Sequence, residues 1–362
     1  MDLMYSTNPD DFNKPEIVRI GNCQFRRFRT EEARKSDTQL TPYTENDENM
    51  MNCAELDDDI EIKVTKSGQF LTTLHVAPYF YKAIIGIKGS KKQEIETETS
   101  THIKIPRMGE TGDVIITGTS ERDICSARTR INLIVLQMRD RHPVTHFISI
   151  PILSQEVKTN FLTFKSKLLD GPPMRGIEES IFLSPEKLHL TITTFVLLDE
   201  FEIENARKIL HDCKADVIDP LFKNAGPLKI VMEGIEIMND DPTAVDVLYG
   251  KVKLNVPKYN TSFQKMADQI VDYFAKRGLI RQQYDNVKLH VTLMNSRYRT
   301  NKNAEASAKD RRGRESFDAS FILDKYRNYR FGSAEFSSVH LSVRFTTGDE
   351  QYYESATAVS VV

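Results

Sequence analysis

Within this 362-residue chain a histidine and a threonine recur in the same frame. Lys187-Leu188-His189-Leu190-Thr191-Ile192 returns as Lys288-Leu289-His290-Val291-Thr292-Leu293. A lone His-x-Thr is weak evidence. Two copies inside one Lys-Leu-His-aliphatic-Thr-aliphatic frame are hard to obtain by accident. An imidazole with an ordinary pKa near 6.5 exchanges protons at neutral pH, so one ring can be neutral while the other is protonated. A neutral ring takes a proton from water or a ribose hydroxyl, and a protonated ring gives one to a leaving oxygen. Each role is typically worth about 10²–10⁴ in rate. Threonine hydroxyls are short, rigid donors suited to the non-bridging oxygens of a phosphoryl group as charge builds there. His189 and His290 are therefore the candidate acid and base, in either order, and Thr191 and Thr292 the candidate phosphate donors. No carboxylates at metal-ligand spacing accompany them, which predicts chemistry without a metal or other cofactor.

Strands must present these residues. Side chains alternate along a strand, so His189 and Thr191 share one face while Leu188, Leu190 and Ile192 share the other. The second copy repeats the division. Each strand thus anchors an aliphatic face in a core, and two similar lobes facing each other would bring both His-Thr pairs to one cleft. Around these strands, residues 143–362 read as α+β. Strand patterns lie at His146–Ile152, Leu188–Phe195, Leu228–Ile237, Val245–Leu254, Lys288–Met294 and Ser338–Phe345, and helical ones at Glu200–Val217 and Ser262–Lys276. The Gly-rich turn of a dinucleotide fold is missing. Val339-His340-Leu341-Ser342-Val343 alternates similarly but lacks the Lys-Leu frame, so His340 reads as structural, and His75, His102, His142, His146 and His211 sit in no constellation.

A second constellation lies upstream, at Gly86-Ile87-Lys88-Gly89 with Lys91 and Lys92 just beyond. Glycines at both ends of such a turn let the backbone bend tightly between two helices and approach a nucleic-acid backbone. The lysines supply phosphate attraction at a helix N-terminus, which itself favours anions. Ile84, Ile85, Ile95 and Ile103 would then floor an apolar groove for unstacked bases. The surrounding pattern over residues 62–142 predicts the order β-α-α-β-β-α, ending in a long helix Glu121–Arg141 capped by Ser120.

Composition narrows the classes. A net charge of −3 gives no global positive field, so any nucleic-acid contact must be local. The basic residues of the 297–314 segment (among them Arg297, Arg299, Lys302, Arg311 and Arg312) fit either a loop that guides a polyanion or a solvated run. Four scattered cysteines form no C-x-x-C pair, which fits a reducing compartment, and no apolar run approaches the roughly 20 residues of a membrane span. Residues 1–61 read as a flexible arm, acidic from Glu45 to Asp59. Its Ile17–Phe28 island is either a docking peptide or a frayed strand. Asn295, just past the second motif, fits either substrate positioning or turn chemistry.

The Gly-x-x-Gly loop with Ile95, Thr99 and Ile103-Lys104-Ile105-Pro106 resembles the KH-domain signature, and KH folds bind either nucleic acid or protein. The paired His-x-Thr motifs resemble the two-histidine phosphodiesterase superfamily. Together with His146–Ile150, Met238–Pro242, Val245–Tyr249 and Arg314–Asp318, they resemble, over most of residues 60–330, a family of complex subunits joining these two domains. The resemblance implies a bilobal, pseudo-twofold phosphodiesterase domain behind the KH domain, acting on terminal or cyclic phosphodiesters of single-stranded RNA or DNA. It further implies a nuclear location in a helicase-containing complex linked to alkylation-damage repair, transcription and RNA processing. Tyr249, Asn295 and Phe317 match the family pattern near the presumed cleft. The contrasting expectation is a subunit that keeps the phosphodiesterase fold as a binding cleft only.

Overall fold

The computed structural model describes residues 61–361 apart from 108–109, 111, 281–284, 300–314 and 349–350, together with two strands near the N-terminus. Those strands, β1 (Glu16–Ile20) and β2 (Cys23–Arg27), pair antiparallel, so the island of the arm is a hairpin. The acidic stretch from Glu45 to Asp59 lies outside the described residues. The chain divides into two compact units. The first is built on residues up to Pro143, with Leu198–Glu202 and Phe274–Gln283 grouped with it. The second holds the remainder.

In the first unit, β3 (Ile62–Val64) and β4 (Phe70–Leu74) lead through a 3₁₀ turn at Pro78–Phe80 into helix α1 (Tyr81–Ile85). Helix α2 (Ser90–Thr99), β5 (Thr101–Lys104), β6 (Val114–Gly118) and helix α3 (Glu121–Arg141) come next. This is the expected order with one added strand, β3, whose three mostly exposed residues carry no alternation to betray it. The antiparallel sheet runs β3-β4-β6-β5. Ser120 caps α3, its Oγ accepting the Asp123 amide at 3.2 Å, with acids in the first turn and arginines in the last to match the helix dipole. Phe80, Ile84, Ile95, Ile103, Ile116, Ile124 and Ile131 close the core.

The second unit is one eight-stranded antiparallel sheet with helices packed on it, an α+β architecture. Its strands are β7 (His146–Pro151), β8 (His189–Phe195), β9 (Lys229–Ile237), β10 (Val247–Leu254), β11 (His290–Asn295), β12 (Arg330–Glu335), β13 (Ser338–Val343) and β14 (Ser355–Ser360). The order β12-β9-β10-β11-β8-β7-β13-β14 is two four-stranded halves meeting at β11 and β8. The two Lys-Leu-His repeats therefore become the innermost strand of each half. Helix α4 (Gln155–Leu169), β12, β14 and the short helix α5 (Ser320–Tyr326) exceed the expected elements. In α4 the signals were present in the sequence: Val157, Phe161, Phe164 and Leu168 are buried on one stripe, and Ser154 caps the first turn.

Candidate functional site

The centre of the second unit is a single register pair, Val291 opposite Leu190. Residues directly opposite on adjacent strands share a face. Leu190 and Val291 are both fully buried, so their face is the core face. The residues flanking them, His189 and Thr191 on one strand and His290 and Thr292 on the other, all leave from the opposite face and are partly exposed. The structure brings the four predicted residues together.

The two halves repeat more than the motif. Along β8 the pairing with β7 steps from Thr191 opposite Ser149 to Thr193 opposite Ile148, skipping Ile192. Along β11 the pairing with β10 steps from Thr292 opposite Tyr249 to Met294 opposite Leu248, skipping Leu293. Each strand thus carries a β-bulge immediately after its threonine, at the same repeat position. A bulge adds twist and re-aims the side chains beyond it, and here it returns Asn295 to the face of Thr292.

Each imidazole is fixed by its own strand. His189 Nδ1 lies 2.7 Å from the Lys187 carbonyl and His290 Nδ1 lies 2.6 Å from the Lys288 carbonyl. A carbonyl can only accept, so Nδ1 carries the proton in both rings and Nε2 is left free to exchange one. Burial pushes the His189 pKa down to about 4, against the raising effect of the Lys187 carbonyl, and the His290 charge lowers it further. Burial lowers His290 as well, and the nearby Lys288 ammonium adds to that. The expectation of one charged and one neutral ring at neutral pH needs correction for the unliganded protein: both are held neutral.

The lysines of the repeat, given no role from sequence, complete a matched pair of stacks. Lys187 Nζ sits 4.9 Å over the Tyr353 ring, which meets His189 edge-on at 5.4 Å. Lys288 Nζ sits 4.8 Å over the Tyr249 ring, which meets His290 at 5.2 Å. Tyr249 is buried and donates to Glu236 at 2.8 Å. The signal for this was the lysine two positions before each histidine. The tyrosines come from unrelated segments: Tyr249 is marked only by the family resemblance, and Tyr353 by nothing in the sequence. Asn295 caps a 3₁₀ turn, its Oδ1 accepting the Arg297 amide at 3.0 Å, so turn chemistry accounts for that oxygen. Phe317 is fully buried and bridges to Val245. Arg299, counted among the guiding basic residues, is instead 15% exposed and bound to the Gly176 carbonyl at 2.8 Å, while 300–314 lies outside the described residues. Among the described residues no three His, Cys, Asp or Glu side chains are grouped to hold a metal ion.

In the first unit, Gly86 (φ 71°, ψ −176°) and Gly89 (φ 85°) frame the loop, with Lys88 left-handed between them (φ 52°). A Cβ on Gly86 would lie 2.6 Å from Lys91 Cβ, so this glycine is required both by conformation and by space. Ile87 is 84% exposed, and Lys88 is exposed beside it. Lys91 pairs with Glu94 at 3.1 Å and Lys92 with Glu96 at 3.3 Å, and Lys88 carries an exposed cation within the loop itself. The expected groove floor is corrected too: Ile84, Ile95 and Ile103 are sealed in the core, and only Ile85 stays half-buried. His75, assigned to no constellation from sequence, lies between Asp113 (3.2 Å) and Asp199 (2.9 Å) and stacks on Phe201. His340 Nε2 pairs with Ser338 Oγ at 2.8 Å, while its buried Nδ1 has no hydrogen-bond partner among the described residues.

Residues 144–361 match the AKAP7 2'5' RNA ligase-like domain family, and residues 71–133 match the KH domain family. Over 304 residues the chain is 40% identical to activating signal cointegrator 1 complex subunit 1 of Mus musculus, an alignment covering 82% of this chain and 84% of that protein. An N-terminal KH domain followed by a two-histidine phosphodiesterase fold thus places the chain in the family of activating signal cointegrator 1 complex subunit 1.

Proposed function

We propose that the chain is a phosphodiesterase that acts on terminal or cyclic phosphodiesters of single-stranded nucleic acid, RNA foremost, without a metal. The observation that carries this reading is the Leu190–Val291 pairing, which gives both imidazoles and both threonines one face. A phosphodiester between the rings is an anion, and its charge raises the pKa of whichever imidazole it touches. Binding therefore supplies the protonated acid that the unliganded site lacks. The neutral partner takes the proton of water or of the ribose 2′-hydroxyl as the new P–O bond forms. The charged partner gives its Nε2 proton to the leaving oxygen as the old P–O bond breaks. Thr191 and Thr292 donate to the non-bridging oxygens.

The KH domain, through Lys88 and the glycine-framed loop, holds the strand whose end is processed. The mouse relative's name describes a complex subunit, and we extend to this chain the role of a subunit in a nuclear assembly of that kind. Mass spectrometry of products from oligonucleotides ending in 3′-phosphate, cyclic phosphate and hydroxyl tests the reaction. Turnover by wild type, lost in His189→Ala and in His290→Ala with binding retained, is the expected result. If wild type forms no product from any of these ends, or if both variants match it, the cleft is a binding site of a non-catalytic subunit.

A further inference from the structure

The two halves match at the histidine and differ at the residue opposite it. Across β8 and β7, His189 faces Pro151. Across β11 and β10, the equivalent place opposite His290 belongs to Lys251. Residues directly opposite share a face, so Lys251 leaves the sheet on the cleft side, as His290 does. The next pair along, Gly250 opposite the buried Val291, belongs to the core face and confirms that parity. On its other edge the register around Lys251 is broken. The β10–β9 pairing steps from Gly250 opposite Ile235 to Val252 opposite Met232, so Lys251 alone faces both Glu233 and Gly234. Such a bulge re-aims the side chain beside it. Gly234 has φ 90°, in the region that favours glycine, and a Cβ there would lie 2.7 Å from Lys251 Cε. The lysine stem therefore runs over a position cleared for it. Glu233, the carboxylate of the bulge, is held by Lys253 at 2.9 Å. Lys251 is exposed, and its ammonium has no carboxylate or carbonyl partner among the described residues.

We infer that Lys251 is a phosphate subsite, holding the phosphate that adjoins the scissile one on the His290 side of the cleft. The inference rests on the phosphodiesterase reading and deepens it, because it makes the preferred substrate a strand with a second phosphate. Position separates the two phosphates. The lysine's end lies over Gly234 of β9, two strand spacings or roughly 10 Å from β11. It is thus beyond the phosphate that the histidines and threonines hold, and in the path of the next one. A compact cation on a flexible stem suits a phosphate oxygen. Lys251 gives up no ion pair to make that contact, whereas Lys253 would have to leave Glu233. Pro151, at the matching place in the other half, carries no charge, so the anionic strand is held on one side of an otherwise matched site.

Two measurements on the full-length chain test this, both with a trinucleotide, shorter than the four nucleotides a KH loop clamps. The first compares its turnover with that of a trinucleotide whose phosphate adjoining the scissile one is a neutral methylphosphonate. Lys251→Met should raise KM for the all-phosphate substrate about tenfold at near-constant kcat, leave the methylphosphonate unchanged, and be rescued by Lys251→Arg. The second measures affinity for the all-phosphate trinucleotide across a salt series, in the His290→Ala protein and in the same protein carrying Lys251→Met. Weaker binding and a slope of log K against log salt smaller by about 0.7, the loss of one single-strand phosphate contact, are expected whether or not wild type turns substrate over. Equal losses on both substrates, or an unchanged affinity and slope without Lys251, would overturn the subsite. Absent turnover with Lys251-dependent binding intact would sink the phosphodiesterase reading while leaving the subsite standing.

Discussion

Leu190 and Val291 face each other at the seam of the eight-stranded sheet, buried on the core side. That pairing sets the sign of everything on the other side. A shift of either strand by one residue would send its histidine and threonine into the core and its aliphatics into the cleft. The core face thus specifies the site, and the bulge after each threonine repeats the same local twist in both halves.

Acid should weaken the fold through His189. Its folded pKa is about 4 against an ordinary 6.5, so between those values the unfolded chain binds more protons than the native one. The stabilisation is complete above pH 6.5 and is lost as pH falls toward 4, amounting to something on the order of 2 kcal/mol for this partly exposed ring. Urea midpoints measured from pH 7.5 to 4.5 should fall for wild type and flatten in His189→Gln. A parallel fall in the variant would show that other groups govern the acid response.

The same neutrality predicts where turnover peaks. kcat/KM reports the free protein, in which both imidazoles titrate below 6.5, so its optimum should lie on the acid side of that value. kcat reports the bound state, where the substrate's anion has raised the acid's pKa, so its profile should sit at higher pH. Coincident profiles with an optimum above pH 7.5 would contradict binding-coupled protonation.

Much of this arrangement could be read from the chain before its coordinates. The alternation of Leu188, Leu190 and Ile192 against His189 and Thr191 was local, and so was the Ser120 cap that starts α3. The adjacency of β8 and β11 was not, because pairing between distant strands leaves no local pattern. Tyr353 stayed invisible for the same reason: it reaches His189 from a segment without repeat or periodicity. The groove floor failed differently. Ile84, Ile95 and Ile103 were correctly seen as an apolar set, but an apolar set does not reveal whether it faces a ligand or the core, and here it closes the core.

Threonine-to-valine exchanges isolate the hydroxyls. Valine keeps the β-branched shape that suits a strand, so Thr191→Val and Thr292→Val should leave the urea midpoint within about 0.5 kcal/mol of wild type. Each removes one donor to the phosphoryl oxygens and should cut kcat by about 10²-fold, with KM moved far less. Wild-type kcat in both variants would take the hydroxyls out of the reaction.

The two lysines should be unequal. Lys288 contributes its stack on Tyr249, worth about 0.5–1 kcal/mol, and Lys288→Met should cost no more than that in urea. Lys187 has a comparable stack and also two hydrogen bonds to the Thr346–Thr347 loop, so Lys187→Met should cost about 1–2 kcal/mol more. Limited proteolysis should then cut near Phe345 faster in Lys187→Met alone. Equal sensitivity in both variants would mean that Lys187 does not anchor the loop.

The KH loop separates folding from binding. Gly86 occupies a backbone region open essentially to glycine, and an added Cβ would lie 2.9 Å from the Lys91 amide nitrogen. Gly86→Ala should therefore destabilise the first unit by at least about 2 kcal/mol, visible as an earlier unfolding transition. Lys88 makes a different demand. Its side chain is exposed on the loop, so Lys88→Ala should leave that transition in place. Single-stranded RNA affinity should drop, and the slope of log K against log salt should shrink by about one, as expected when one phosphate contact is lost. A Lys88→Ala protein that keeps both wild-type affinity and wild-type salt slope would mean that the loop does not touch the strand, and that RNA reaches the cleft by another surface.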